Sequence, residues 1–211
     1  VTSSSGRSSL PGWAFEERLW AAGHTPVAGV DEAGRGALAG PIVAAAVILP
    51  PGDHPFRDSK TVAPAARERL AEEVRACAVA WGVGRAEADE IDELGVPGAT
   101  RLAARRALAS LPIRPGGLVT DWLDLPGPWA VLAPARADAR SLQAAAASLL
   151  AKTERDRWMV GTAELRWPGY GFARHKGYGA PAHLRALYEL GPCATHRRRF
   201  APVAQSPLFR P

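Results

Sequence analysis

The sequence predicts an α/β domain in which helices flank a mixed β-sheet, and three observations carry that expectation. Short apolar runs rich in β-branched residues cluster early, at Val27–Asp31, Ile42–Leu49 and Val79–Gly84. Segments with apolar residues at helical spacing lie between and after them. Turn residues (Gly-Arg-Gly, Pro-Pro-Gly) separate the runs, and strands first with helices between and after is the α/β pattern.

The elements follow in order. Trp13–Trp20 has helical periodicity and ends near Gly23. Val27–Asp31 and Ile42–Leu49 read as antiparallel neighbours joined by a glycine loop, with Pro50-Pro51-Gly52 closing the second. A polar connection holding Asp58-Ser59-Lys60 leads to a helix from about Pro64, a first-turn position that proline tolerates. Val79–Gly84 is the third strand, Ala86–Leu94 and Thr100–Leu111 are helices, and Gly117–Thr120 and Trp129–Leu132 are two further strands. A long helix from Ser141 to Gly161, a Gly/Tyr/His/Lys loop and a helix over Pro181–Leu190 precede the basic cluster His196-Arg197-Arg198-Arg199.

At 211 residues, with 47% apolar residues, the chain is expected to form one domain over residues 12–211, with a helical, basic C-terminal part, behind a flexible polar leader at 1–11. A formal charge of +5 favours a polyanionic partner. Cys77 and Cys193 lack metal-ligand spacing and read as free thiols in a reducing compartment. No apolar stretch approaches the ~20 residues of a membrane span. A cytoplasmic monomer without membrane contact is the expectation.

The stretch Gly29–Pro41, GVDEAGRGALAGP, carries the first functional signal. Gly34-x-Gly36-x-x-Ala39 fits the letter of a dinucleotide fingerprint, but that motif needs a helix to start in the loop. Here Pro41 and a β-branched run follow, and Asp31-Glu32 would repel a pyrophosphate. A plain hairpin explains the glycines but not the carboxylates. Neighbouring strand residues face opposite sides, so one carboxylate points at the core, where an unpaired charge costs several kcal/mol. A bound cation removes that cost.

Asp121 directly ends the strand Gly117–Thr120, and Asp138 stands three residues before the long helix. Alone, one reads as a turn residue and the other as a helix cap. Together with Asp31 and Glu32 they supply four carboxylates without His or Cys, which disfavours zinc and suits Mg²⁺ or Mn²⁺. About four negative charges suit two divalent ions some 3.5–4 Å apart, the arrangement that clamps both oxygens in phosphodiester cleavage. A metal-dependent nuclease is the simplest reading.

From Val27 to Val203 the chain resembles the bacterial ribonuclease HII family. VAGVDEAGRGALAGPIVAAAVIL, DSK (Asp58–Lys60), Asp121, ADARSLQAAAASLLAKTERDR (Ala137–Arg157), YGFARHKGYG (Tyr170–Gly179) and HRRRF (His196–Phe200) resemble its landmarks in order. The related ribonuclease HIII usually lacks the arginine of Gly34-Arg35-Gly36. The resemblance implies a ribonuclease H-like fold, with Asp31, Glu32, Asp121 and Asp138 as catalytic carboxylates holding two metal ions. It implies that Gly34, Arg35 and Gly36 recognise a ribose 2′-OH through backbone groups, and that Tyr178 packs on the next sugar. The substrate would be RNA–DNA hybrid or duplex DNA with embedded ribonucleotides, cut on the 5′ side of the ribonucleotide.

The 2′-OH is what separates RNA from DNA at one site, and a glycine loop lets backbone reach it. Arginine is the default cation, yet the three lysines, Lys60, Lys152 and Lys176, all fall inside these motifs. Lys60 and Lys176 are expected to contact phosphates, while Lys152 reads equally as a surface residue. Arg197–Arg199 reads either as a solvated tail or as phosphate contacts. Two positions depart from the pattern: Trp122 and Ala137 stand where the family commonly has glycine. The first leaves Asp124 a rival to Asp121 as third ligand. A non-catalytic nucleic-acid-binding protein of the same fold is the rival function, and a DNA-junction nuclease another.

Overall fold

The computed structural model describes residues 10–121 and 123–208. Most of the leader expected at residues 1–11 lies outside the described residues, as does Trp122.

Five strands form one sheet: β1 (Val27–Ala33), β2 (Ile42–Ile48), β3 (Ala80–Ala86), β4 (Gly117–Thr120) and β5 (Ala130–Leu132), in the order β3-β2-β1-β4-β5. β1 pairs antiparallel with β2 and parallel with β4, so the sheet is mixed. β1 and β2 pair antiparallel across the short glycine loop, β2 and β3 pair antiparallel with the helix Pro64–Cys77 between them in sequence, and β4 returns parallel beside β1 after a helical crossover. The register sets Val30 opposite Thr120. Asp31 and Asp121, the next residue on each strand, therefore leave the same edge of the sheet side by side.

Strand alternation divides the core. Ala28 and Val30 face one side and pack with Ala99, Ala103 and Ala107 of α3 (Ala88–Ala109). Val27 faces the other side, beside Ala144 of α4 (Leu142–Trp158). Gly29 lies so close to the α4 backbone at Gln143 and Ala144 that a Cβ there would collide with it. Such contact brings the start of α4, and Asp138 before it, over the end of β1. Small residues on both surfaces make the approach possible: α4 presents Ala145, Ala146 and Ala147, all fully buried.

The remaining helices are α1 (Ala14–Ala21), α2 (Pro64–Cys77), α5 (Glu164–Arg166), α6 (Phe172–His175), α7 (Pro181–Leu190) and α8 (Ala201–Ala204). α3 is broken at Gly95, where φ is 68°, so the two helices expected on either side of it are present as two arms. The long helix stops as α-helix at Trp158, three residues before the expected Gly161, and continues as one wide π turn, Met159–Ala163. The expected Gly/Tyr/His/Lys loop contains α6, a single turn. Among the described residues no helix is long and apolar enough to cross a membrane.

Candidate active site

Asp31 and Asp138 are buried, and Glu32 and Asp121 half-buried, at one edge of the sheet. Burial first, and then the neighbouring charges of Glu32 and Asp138, push the Asp31 carboxyl well above the usual range. Burial also raises Glu32, where the charge of Asp121 adds to the effect and Arg35 opposes it. Each carboxylate is thus within electrostatic reach of another, and the four expected from sequence come together. Asp121 accepts from the Ala137 amide at 3.4 Å, which ties the end of β4 to the turn carrying Asp138. Asp124 is exposed. The Thr120 hydroxyl donates to the Leu123 carbonyl at 2.7 Å.

Two cations balance this charge. The Arg35 guanidinium lies 3.0 Å from Glu32 Oε1, and the Lys60 ammonium 2.8 Å from Asp138 Oδ2. Burial pulls the Lys60 ammonium down, but Asp138, with help from Asp58 and Asp31, outweighs it and holds Lys60 above an ordinary lysine. The Asp58-Ser59-Lys60 turn is fixed in place: Ser148 of α4 accepts from the Ser59 amide at 3.1 Å, and Arg67 donates to the Ser59 carbonyl at 3.0 Å. Lys60, Asp121 and Asp138 open onto a cleft of about 610 Å³ whose rim adds Arg57 and Arg136.

The glycine loop is held from below. Arg197, fully buried, donates to the carbonyls of Gly34 (2.7 Å), Arg35 (2.8 Å) and Gly40 (2.8 and 3.1 Å). It is neither a solvated tail residue nor a phosphate contact, and that expectation is corrected for Arg197. Only Arg198 and Arg199 are exposed, with their amides bonded to Asp92. Arg155, also fully buried, donates to Ala39 (3.1 Å) and Pro41 (3.0 Å), and Gly34, at φ 96°, rests against its side chain. The arginines engage the loop's carbonyls from the inside, while Arg35 and Gly36 are exposed.

Tyr178 lies beside this loop. The Leu38 and Ala39 amides donate to the Gly177 carbonyl at 2.8 and 3.2 Å. Arg155 and Lys152 stand 5.1 and 5.4 Å from the Tyr178 ring centre. Lys152, partly exposed, also pairs with Asp156 at 2.7 Å. Lys176 does not reach the carboxylates: its ammonium bonds the carbonyl of Ala173 in α6, and it lines a separate cleft of about 480 Å³ with Arg67, Thr153 and Arg157.

The sequence reading missed several residues. Arg57 and Arg136 carried no motif. Arg155 and Arg197 looked like members of charged runs. Glu16 carried no signal beyond its place in the Trp13–Trp20 helix, yet it is fully buried and accepts from Ser141 Oγ (2.5 Å) and the Gln143 amide (3.3 Å), pinning the start of α4.

The carboxylates fit a divalent metal by one observation in particular: Glu32 Oε2 is buried without a hydrogen-bond partner. An all-oxygen donor set of this charge is what a hard cation takes. As placed, no three carboxylate, His or Cys side chains among the described residues form a ready cage. In this arrangement Lys60 pairs with Asp138 and Arg35 with Glu32.

The family model described as ribonuclease HII matches residues 28–203. Ribonuclease HII of Thermus thermophilus is 62% identical over 185 residues, covering 88% of this chain and 91% of the relative. That of Myxococcus xanthus is 50% identical over 203 residues, covering 91% and 67%. The crystal structure of ribonuclease H2 from Pyrococcus horikoshii superposes with a TM-score of 0.72 at 26% identity, covering 84% of this chain and 95% of that one. Fold, motif order and these likenesses agree, and the chain belongs to the ribonuclease HII family of metal-dependent endoribonucleases.

Proposed function

We propose that the chain hydrolyses the phosphodiester on the 5′ side of ribonucleotides embedded in duplex DNA and in RNA–DNA hybrids, leaving 3′-OH and 5′-phosphate ends, and so serves ribonucleotide removal from DNA. The observation that carries this reading is adjacency: four carboxylates at one sheet edge stand directly beside a glycine loop whose carbonyls are engaged from within.

Asp31, Glu32, Asp121 and Asp138 would hold two divalent ions, Mg²⁺ or Mn²⁺, which supply Lewis acidity and a clamp for the attacking and leaving oxygens. The remaining work falls to the protein. Gly34, Arg35 and Gly36 present backbone to the ribose 2′-OH, with no Cβ on the exposed Gly36 in the way. Tyr178 offers its ring to the next sugar, where an extra hydroxyl would disturb the contact. Lys60 has two acceptors in reach, Asp138 in the free protein and a phosphate oxygen of bound nucleic acid. Arg57 and Arg136 on the rim, and Lys176 two residues before Tyr178, suit neighbouring phosphates.

The chain is read as a monomer with a single catalytic domain from residue 12 onward. The two free cysteines suit the cytoplasm. The test is a labelled duplex carrying one ribonucleotide, incubated with Mg²⁺, Mn²⁺ or EDTA beside an all-DNA control. Cleavage 5′ of the ribonucleotide with metal alone is the expected result; cutting of the control, or cutting in EDTA, refutes the reading.

A further inference from the structure

A chain of buried histidines ends on the backbone of Tyr178. His183, fully buried in α7, has Nδ1 2.9 Å from the Tyr178 carbonyl. Its Nε2 is 3.0 Å from Nε2 of His196, whose Nδ1 lies 3.0 Å from the Cys193 amide. The two backbone groups dictate where the protons sit. The Cys193 N–H donates, so His196 Nδ1 accepts and its Nε2 carries the proton. His183 Nε2 then accepts, and its Nδ1–H donates to Tyr178. A third ring, His175, stacks on His183 with centres 4.4 Å apart and planes within 12°. It accepts from the Gly177 amide at 3.2 Å through Nδ1, which leaves Nε2–H to donate to the Tyr170 carbonyl at 2.9 Å. The Gly177–Tyr178 segment is therefore held at the Gly177 N–H by one histidine and at the Tyr178 C=O by another.

Burial keeps His183 and His196 neutral, moving His183 down to about 4 and His196 to about 3. The carboxylates and the glycine loop do not use them. Packing alone does not account for a polar chain in this position, since apolar rings would fill the same space beside Phe172 and Tyr170.

We infer that His183, oriented by His196, is a positioning residue that sets the Tyr178 ring against the sugar on the 3′ side of the ribonucleotide and so controls how the enzyme senses a 2′-OH there. The inference rests on the reading of Tyr178 given above. It deepens that reading by assigning the selectivity at this sugar to a backbone hydrogen bond behind the ring.

Amide side chains separate positioning from packing. Asn can place a donor where His Nδ1 stands, whereas Gln reaches only the Nε2 position. The readout is the ratio of kcat/KM on two duplexes that differ only in whether the sugar after the ribonucleotide is deoxyribose or ribose. Tyr178→Ala should move this ratio toward one. His183→Gln should move it the same way by about fivefold, the scale of one net hydrogen bond. His183→Asn should hold it within about twofold of wild type. In a Tyr178→Ala background His183→Gln should have no further effect on the ratio.

If Tyr178→Ala keeps the wild-type ratio, the reading of Tyr178 falls and the inference with it. If Tyr178→Ala shifts the ratio but His183→Gln does not, or if His183→Asn shifts it equally, the inference alone is wrong. Should His183→Gln fail to fold, His196→Asn serves instead. It keeps the acceptor for Cys193 but loses the donor to His183, and a ratio unchanged from wild type in that variant also overturns the inference.

Discussion

The Lys60 ammonium lies 2.8 Å from Oδ2 of Asp138, across 78 residues of sequence, joining the turn before α2 to the turn before α4. Lys60 is itself largely exposed while Asp138 is buried, so the cation reaches inward to a carboxylate that has left water. This arrangement suits a lysine that exchanges one anion for another when nucleic acid binds. Lys60→Met is expected to weaken duplex binding and to lower the slope of log affinity against log salt by about 1, the signature of one lost phosphate contact. Binding isotherms at several salt concentrations measure this, and an unchanged slope would remove Lys60 from the interface.

Asp121 and Asp124 make opposite predictions. Asp121 leaves β4 beside Asp31 and acts on the Glu32 carboxyl, whereas Asp124 is exposed. Asp121→Asn should reduce turnover by about a hundredfold or more, the loss typical of removing one stabiliser of transition-state charge. Asp124→Asn should stay within about threefold of wild type, because exposed substitutions rarely exceed ~0.5 kcal/mol. Single-turnover rates at saturating metal decide between them.

Arg197 is expected to be a stability determinant despite its place in a basic tail. Arg197→Met removes the donor to the Arg35 and Gly40 carbonyls and leaves Gly34 only its bond from the Ala37 amide, at an expected cost of ~2–4 kcal/mol. Arg199→Ala, on the surface, should cost less than ~0.5 kcal/mol. Urea unfolding of the two variants tests the contrast, and equal midpoints would contradict the loop-holding role.

The buried histidines give the stability a pH dependence of known sign. Their folded values, about 4 for His183 and about 3 for His196, lie below the ordinary 6.5, so the unfolded chain binds more protons. Their contribution is fully present above about pH 6.5 and is lost as pH falls toward those values, by up to about 1.4 kcal/mol per pH unit for each ring. Asp31 and Glu32, raised in the fold, act with the opposite sign over the acid range. Comparison with a His183→Asn/His196→Gln variant isolates the histidine part. Its unfolding midpoint should change less between about pH 7 and 5 than that of the wild type; parallel profiles would contradict the neutral assignment.

The sheet was legible because β-branched runs and turn residues are local signals, and each strand lies within a residue or two of its expected span. Asp31, Glu32 and Asp121 stood out because charge at the end of an apolar run is anomalous without a partner, and Asp138 because it precedes the long helix. Arg197 was not, because its role depends on Gly34–Gly40 folding back over a segment more than 150 residues away. The same holds for His183 and His196, whose meaning lies in a shared hydrogen bond and not in spacing. Glu16 was hidden by the helical pattern around it, in which a glutamate in the first turn reads as an exposed dipole partner.

The central claim is that the carboxylates serve metal-assisted cleavage, and Asp31→Asn tests it most directly. Asn keeps the shape of the buried side chain and removes its charge. With Mg²⁺ or Mn²⁺ and a duplex carrying one ribonucleotide, cleavage should fall by about a thousandfold or more, while binding of the same duplex in the absence of turnover stays largely intact. Near-normal turnover by this variant would contradict the assignment of Asp31 and, with it, the account of the site.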